Sequence, residues 1–169
     1  MEITICFIPL TQGKFAMVDF DDYELAIWKW NAIHYDRISF GTQTWYAVRR
    51  EGEKRVWMHL EIAERAGLPK CPQYDHWDRN SLNNSRSNLR PCTARQNQWN
   101  KGKVKKFGVS TSEYKGVFWH KAVGKWTAAI RVYGKLHHLG YFATQEEAAR
   151  AYDRAARRFF GEFACVNFP

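Results

Sequence analysis

The sequence has no apolar run of about 18 residues, so no transmembrane helix is expected. Its opening residues, MEITICFIPLTQGK, lack a basic start and a long apolar stretch and are not read as a secretory signal. The four cysteines, Cys6, Cys71, Cys92 and Cys165, never form a C-x-x-C pair. That scatter argues against a structural zinc site and against a disulfide framework, and it points to a reduced, cytoplasmic setting. Acidic residues thin out towards the end. Lys, Arg, Asp and Glu sum to −2 over residues 1–66, +3 over 67–100 and +8 over 101–169, which together make the +9 of the 169-residue chain. A basic excess gathered in the last two-fifths of the chain suggests a polyanion partner such as nucleic acid. Nothing in the pattern calls for a membrane or an obligate protein partner.

Apolar residues make up 45% of the chain, enough for a core, and there are eight tryptophans. An α+β fold in segments is expected. Over 1–66, ITICFIPL and KFAMVDF read as strands around a turn containing Gly13. DDYELAIWKW reads as a helix beginning at Asp21 and Asp22, and TWYAVRR with KRVWMHL as a hairpin around EGEK. Trp28, Trp30, Trp45 and Trp57 are read as packing residues, and His59 as a packed, hydrogen-bonded histidine. Residues 101–113, KGKVKKFGVSTSE, read as a basic linker whose Lys101, Lys103, Lys105 and Lys106 track a phosphate backbone. Over 114–169, three short strands precede a helix opened by a capping box, Thr144 to Glu147, and closed by Gly161.

Between these lies YDHWDRNSLNNSRSNLRPCTARQNQWN, positions 74–100, with six asparagines, four arginines and hardly an aliphatic residue. Phosphodiester hydrolysis needs a base for water, a cation for the phosphate charge, and ligands for that cation. Asp75 is a hard oxygen donor suited to Mg²⁺. His76, beside it, suits a general base near neutral pH. Neighbours on a strand point opposite ways, so a bend or bulge is required if both are to face one phosphate. Asn88 and Asn97 add neutral carbonyl oxygens, and Thr93 reads as the N-cap of a short helix.

This stretch resembles the HNH endonuclease motif, in the H-N-N variant of phage and intron homing endonucleases: its D-H, N-L-R and Q-N elements stand at the family spacing. The resemblance implies a ββα-metal core over 67–100, preceded by an N-terminal α+β region over 1–66. It implies Asp75 and Asn97 as ligands of Mg²⁺ or Mn²⁺, His76 as general base, and Asn88 as the brace of the loop that orients His76. Asparagine rather than histidine at position 97 argues against zinc. Arg79 stands where the family often has glycine and is read as a phosphate contact. Arg86, Arg90 and Arg95 are read as backbone clamps. Cys71 and Cys92 are read as packing residues.

Residues 114–169 are similar to the AP2 DNA-binding domain through YKGV, GKW-AAIR, HLGYF, EEAARAYDRAA and NFP. That likeness implies a three-stranded sheet laid in the major groove of double-stranded DNA and backed by one helix. Lys115, Phe118, His120, Lys125, Arg131 and His138 form its DNA-facing set. The plant domains carry arginines at the positions of Phe118 and His120 and a tryptophan at His138, so guanine readout is expected to be poorer here. Together the two likenesses imply a homing-type DNA endonuclease that nicks as a monomer. The rival is an inactive DNA-binding regulator.

Overall fold

Alternating burial along Ile5–Pro9 and Phe15–Asp19 defines strands β1 and β2, which pair antiparallel from Ile5↔Asp19 to Pro9↔Phe15. The computed structural model describes residues 4–35, 44–103 and 111–169. Lys105 and Lys106 of the expected linker lie outside the described residues. One unit of the chain ends at Asn97 and a second begins at Gln98.

In the first unit, the helix expected after Asp21 forms as a 3-10 helix, Phe20–Ile27. Its buried residues, Asp22 and Leu25, are three apart, the spacing that stacks side chains in a three-residue turn. Asp22 is fully buried and accepts from Arg86 Nε (2.7 Å) and Nη2 (2.9 Å) and from Arg65 Nε (3.0 Å). Burial by itself would raise its pKa, but the hydrogen bonds from Arg86 and Arg65 hold the carboxyl below its ordinary value.

Strands β3 (Asn31–Tyr35), β4 (Thr44–Glu51) and β5 (Lys54–Trp57) form an antiparallel sheet with β4 in the middle. The hairpin around EGEK is as expected; β3 was not. The second hairpin strand also stops earlier than expected, because Met58 opens helix α1, Met58–Arg65. Met58, Ile62 and Ala63 are buried at helical spacing on its inner face.

A second hairpin, β6 (Gln73–His76) with β7 (Leu89–Cys92), leads into α2 (Ala94–Asn100). Thr93 Oγ1 accepts from Gln96 N while Gln96 Oε1 accepts from Thr93 N, a reciprocal cap at the start of α2. Leu89 shares one core with Ile8, Val18, Trp30, Met58 and Ile62. Residues before and after position 66 therefore belong to one packed body. The loop between β6 and β7 also lies along β2, with Met17 N donating to Leu82 O and Asn84 N to Met17 O, both at 2.8 Å.

The second unit is a three-stranded antiparallel sheet and a helix, as expected. β8 (Val117–His120), β9 (Lys125–Val132) and β10 (Lys135–Phe142) lie in the order β10-β9-β8. Helix α3, Gln145–Phe160, starts at a complete capping box: Thr144 Oγ1 accepts from Glu147 N and the Glu147 carboxylate from Thr144 N. Its Ala148, Ala149 and Tyr152 are buried, as are Ala128 and Ile130 of β9. Gly161 ends it at φ +54.

The closing residues are tied back to both ends of this unit. Asp153, buried on α3, accepts from Asn167 N (2.8 Å), Asn167 Nδ2 (3.0 Å) and Phe168 N (2.9 Å). The Asn167 side chain in turn accepts from Lys115 N (2.6 Å) and donates to Lys115 O (3.2 Å).

Candidate functional site

The hairpin β6–β7 places the first two candidate groups. Its register runs Gln73↔Cys92, Tyr74↔Pro91, Asp75↔Arg90 and His76↔Leu89 without a shift. The bend or bulge that would aim Asp75 and His76 at one point is therefore missing from β6, and strand alternation sends them to opposite faces. Asp75 faces Arg90, whose Nη2 (2.7 Å) and Nε (2.9 Å) donate to Asp75 Oδ2. His76 shares its face with Leu89 and the core.

Asn97, in α2, donates from Nδ2 to Gln73 Oε1 at 2.9 Å. Gln73 and Asp75 are two apart on β6 and so share a face. Asp75 and Asn97 consequently stand on the same side of the hairpin. Gln73, which orients the Asn97 amide, carried no signal in the sequence. Cys92 is packed beneath this face, and burial together with the nearby Asp75 charge raises its thiol pKa to about 11, so it stays protonated at neutral pH.

His76 Nε2 lies 3.3 Å from Asn84 Oδ1. Donation from Nε2 to that oxygen fixes the tautomer with the lone pair on Nδ1. Asn84 is itself anchored: it is buried, its N–H donates to Met17 O, and its Nδ2 lies against Met58 Sδ and Leu82 O. Burial pushes the His76 pKa below its ordinary value, against the opposing pull of the Asn84 bond and of Asp78 and Asp75. The imidazole is thus neutral and able to accept a proton. His59 packs edge-on against it, with ring centroids 5.4 Å apart, and Tyr46 packs near both.

Burial, and secondarily the charge on a protonated His76, lowers the pKa of His59 from 6.5 to about 3. Between those values the unfolded chain takes up a proton that the folded chain refuses. This contribution to stability is complete above pH 6.5 and declines as pH falls towards about 3. His59→Phe is expected to flatten the decline of unfolding free energy between about pH 6.5 and 4, measured by denaturant titration. An unchanged slope would show that His59 is not the group excluded from protonation.

Asn88 works within the loop that joins the two strands. Its Nδ2 donates to Asp78 Oδ1 (2.9 Å) and Asn83 O (2.7 Å), its Oδ1 accepts from Asp78 N (3.0 Å), and its carbonyl accepts from Trp77 N (2.9 Å). Asp78 also accepts from Asn80 N and Asn83 Nδ2, both at 2.8 Å. The asparagines of this stretch thus satisfy the backbone of a loop whose apolar packing comes from Leu82. Arg79 occupies the left-handed region at φ +67, the conformation for which glycine is suited, and its N–H donates to His76 O.

The cations expected on phosphate fall into two groups. Arg86 holds Asp22, Arg90 holds Asp75, and Lys115 Nζ donates to Trp99 O (3.0 Å) and Lys101 O (2.6 Å) at the end of α2. Lys103 Nζ donates to Ser112 O, and burial lowers its pKa. These four therefore have hydrogen-bond partners inside the protein as well as the DNA-facing role expected of them. Arg95, Lys101, Lys125 and Arg131 are exposed, with Arg131 Nη1 also donating to Gly134 O (2.8 Å). Phe118 and His138 are exposed and His120 half-buried, the two histidines packing on Tyr141 at 5.4 and 4.6 Å.

Asp75 and Asn97 offer one carboxylate and one amide oxygen. Among the described residues no group of three or more His, Cys, Asp or Glu is arranged to hold a metal ion. Two hard oxygen donors suit Mg²⁺ or Mn²⁺, which keep several waters and share phosphate oxygens. The guanidinium of Arg90 on Asp75 marks that carboxylate as a seat for positive charge. No helix among the described residues is long and apolar enough to cross a membrane.

Comparison with known proteins finds one family match and several relatives. The AP2 domain family matches residues 112–162. An uncharacterized HNH endonuclease of Acanthamoeba polyphaga mimivirus is 36% identical over 100 residues, 59% of this chain and 49% of the viral one. Dehydration-responsive element-binding protein 2E of Oryza sativa subsp. japonica is 45% identical over 80 residues, 44% of this chain and 25% of the plant one. The chain thus spans half or less of these two relatives. Protein 3.8 of Escherichia phage T7 is 33% identical over 108 residues, 63% of this chain and 86% of the phage protein.

Proposed function

We propose that this chain, which belongs to the family of protein 3.8 of Escherichia phage T7 and carries an AP2 domain, is a site-specific DNA endonuclease of the HNH type. The observation that carries this reading is the placement of Asp75 and Asn97 on one face of the β6–β7 hairpin, with a neutral, anchored His76 at the end of the same strand. The name of the mimivirus relative supports it, and the AP2 domain supports DNA binding.

In the proposed reaction His76 takes a proton from the water that attacks the phosphate. Asn84 holds its ring, and Asn88 holds the loop in which Asn84 sits. Asp75 and Asn97 would hold Mg²⁺ or Mn²⁺, which would stabilise the charge that builds on the phosphate and its leaving oxygen. For that, Arg90 has to release Asp75, and from there its guanidinium is suited to a phosphate oxygen. His76 reaches the phosphate only if the end of β6 turns its ring out of the core-facing pocket. Arg79, Arg95, Lys101 and the outer sheet face hold the duplex. One such site cuts one strand, so a monomer nicks.

The test is a selection for cleaved sequences, followed by reaction of the best site with the full chain in Mg²⁺, in Mn²⁺ and in chelator. A nicked product that needs the divalent ion is expected. Tight binding without cutting in either metal would leave a DNA-binding regulator as the reading.

A further inference from the structure

The sheet β8–β10 turns one face to α3 and the other outward. On the outer face, Phe118 and Tyr141 stand in register with Thr127 from the strands on either side, and His138 stands opposite Ala129. Phe118 is 42% exposed and Tyr141 45%, whereas Thr127 between them is 1% exposed. Two aromatic rings thus form a row across the middle of the face. Thr127 Oγ1 and His120 Nδ1, next to that row, are buried with no hydrogen-bond partner. The three strands contain no Asp or Glu, and Lys125 and Arg131, which share the parity of Thr127, are exposed.

An apolar row bordered by cations, on strands that carry no carboxylate, matches a ligand that is anionic along its edges and apolar at its centre. The major groove of duplex DNA meets this description where thymines follow one another, because the thymine C5-methyl is the apolar group displayed there. Guanine offers that groove two acceptors, which call for arginine or lysine. Phe118 supplies no donor, and Thr127, at 1% exposure, sits beneath the aromatic row rather than at its surface.

We infer that the outer sheet face selects thymine-containing sites, with the Phe118 ring, supported by Tyr141 across Thr127, contacting thymine methyl groups. This rests on the DNA-binding part of the function proposed above. The experiment uses the full chain in chelator, so that equilibrium binding is read without cutting. Duplexes are enriched from a random pool, and each thymine of the winning site is replaced in turn by uracil, which lacks only the methyl. Loss of a contacted methyl is expected to weaken binding about fourfold, the equivalent of about 0.8 kcal/mol. Phe118→Ala should bind thymine and uracil duplexes alike, while Phe118→Leu, which keeps an apolar end, should retain part of the discrimination. Equal affinity of the wild-type chain for thymine and uracil duplexes, or enrichment of sites with only G·C pairs in the contacted stretch, overturns the inference. Enrichment of no duplex at all would instead overturn site-specific binding, and this inference with it.

Discussion

His76→Ala is expected to slow strand cleavage about 10²- to 10⁴-fold, the usual contribution of a positioned base, while duplex affinity is kept. The effect should fall on kcat. His76 is buried beside Asn84 and His59 and has no place on the outer sheet face. Asn84→Ala removes the acceptor that sets the ring, and a loss of about 10- to 100-fold is expected, as for groups that orient a catalytic side chain from behind. The pair is diagnostic together. An Asn84 variant as slow as His76→Ala would mean that the loop has collapsed, which a thermal melt would reveal. Nicking by His76→Ala at the wild-type rate would place the base elsewhere and end the proposed mechanism.

Gly116→Ala is expected to destabilise the second unit by about 3 kcal/mol or more, from a strained backbone and overpacking combined. Gly116 has φ +75, and a Cβ there would stand 2.1 Å from Tyr152 Cδ2 and 2.8 Å from Ala129 O. Tyr152 is buried on α3 against Ile130 and Val132 and cannot swing away. Gly124→Ala provides the control. Its φ is +65 but nothing lies within 4 Å of its added Cβ, so only the backbone strain of about 1–2 kcal/mol remains. Denaturant unfolding of the two variants should therefore separate them. Equal losses would show that the approach of Tyr152 to the Gly116 backbone is not what fixes glycine at this position.

The second unit was readable from sequence because its signals are local. Thr144 and Glu147 are three apart, the buried alanines of α3 recur at helical spacing, and each turn sits beside its strands. The first unit depends on pairs that no spacing announces. Arg86 meets Asp22 64 residues away, and Ser81 Oγ donates to Trp45 O 36 residues away. Charge alone gave Arg86 its reading as a phosphate clamp, and no spacing announced the fully buried Asp22 carboxylate that it also holds. Among the asparagines, Asn88 carried a sequence signal for its loop, whereas the bonds that Asn80 and Asn83 make within that loop carried none. Asn84 and Gln73 gave no signal because their roles depend on which partner lies across the fold.

The hydrogen bonds linking Asp153, Asn167 and Lys115 have a consequence for inheritance. They set the residues that lead into β8 beside those that follow α3, with Asn167 bonded to both the N–H and the carbonyl of Lys115. A body whose two ends meet can be spliced onto a host chain, or into one of its loops, without forcing the host apart. That gives a physical reason why a sheet-and-helix body closed in this way can keep its fold when joined to different neighbours.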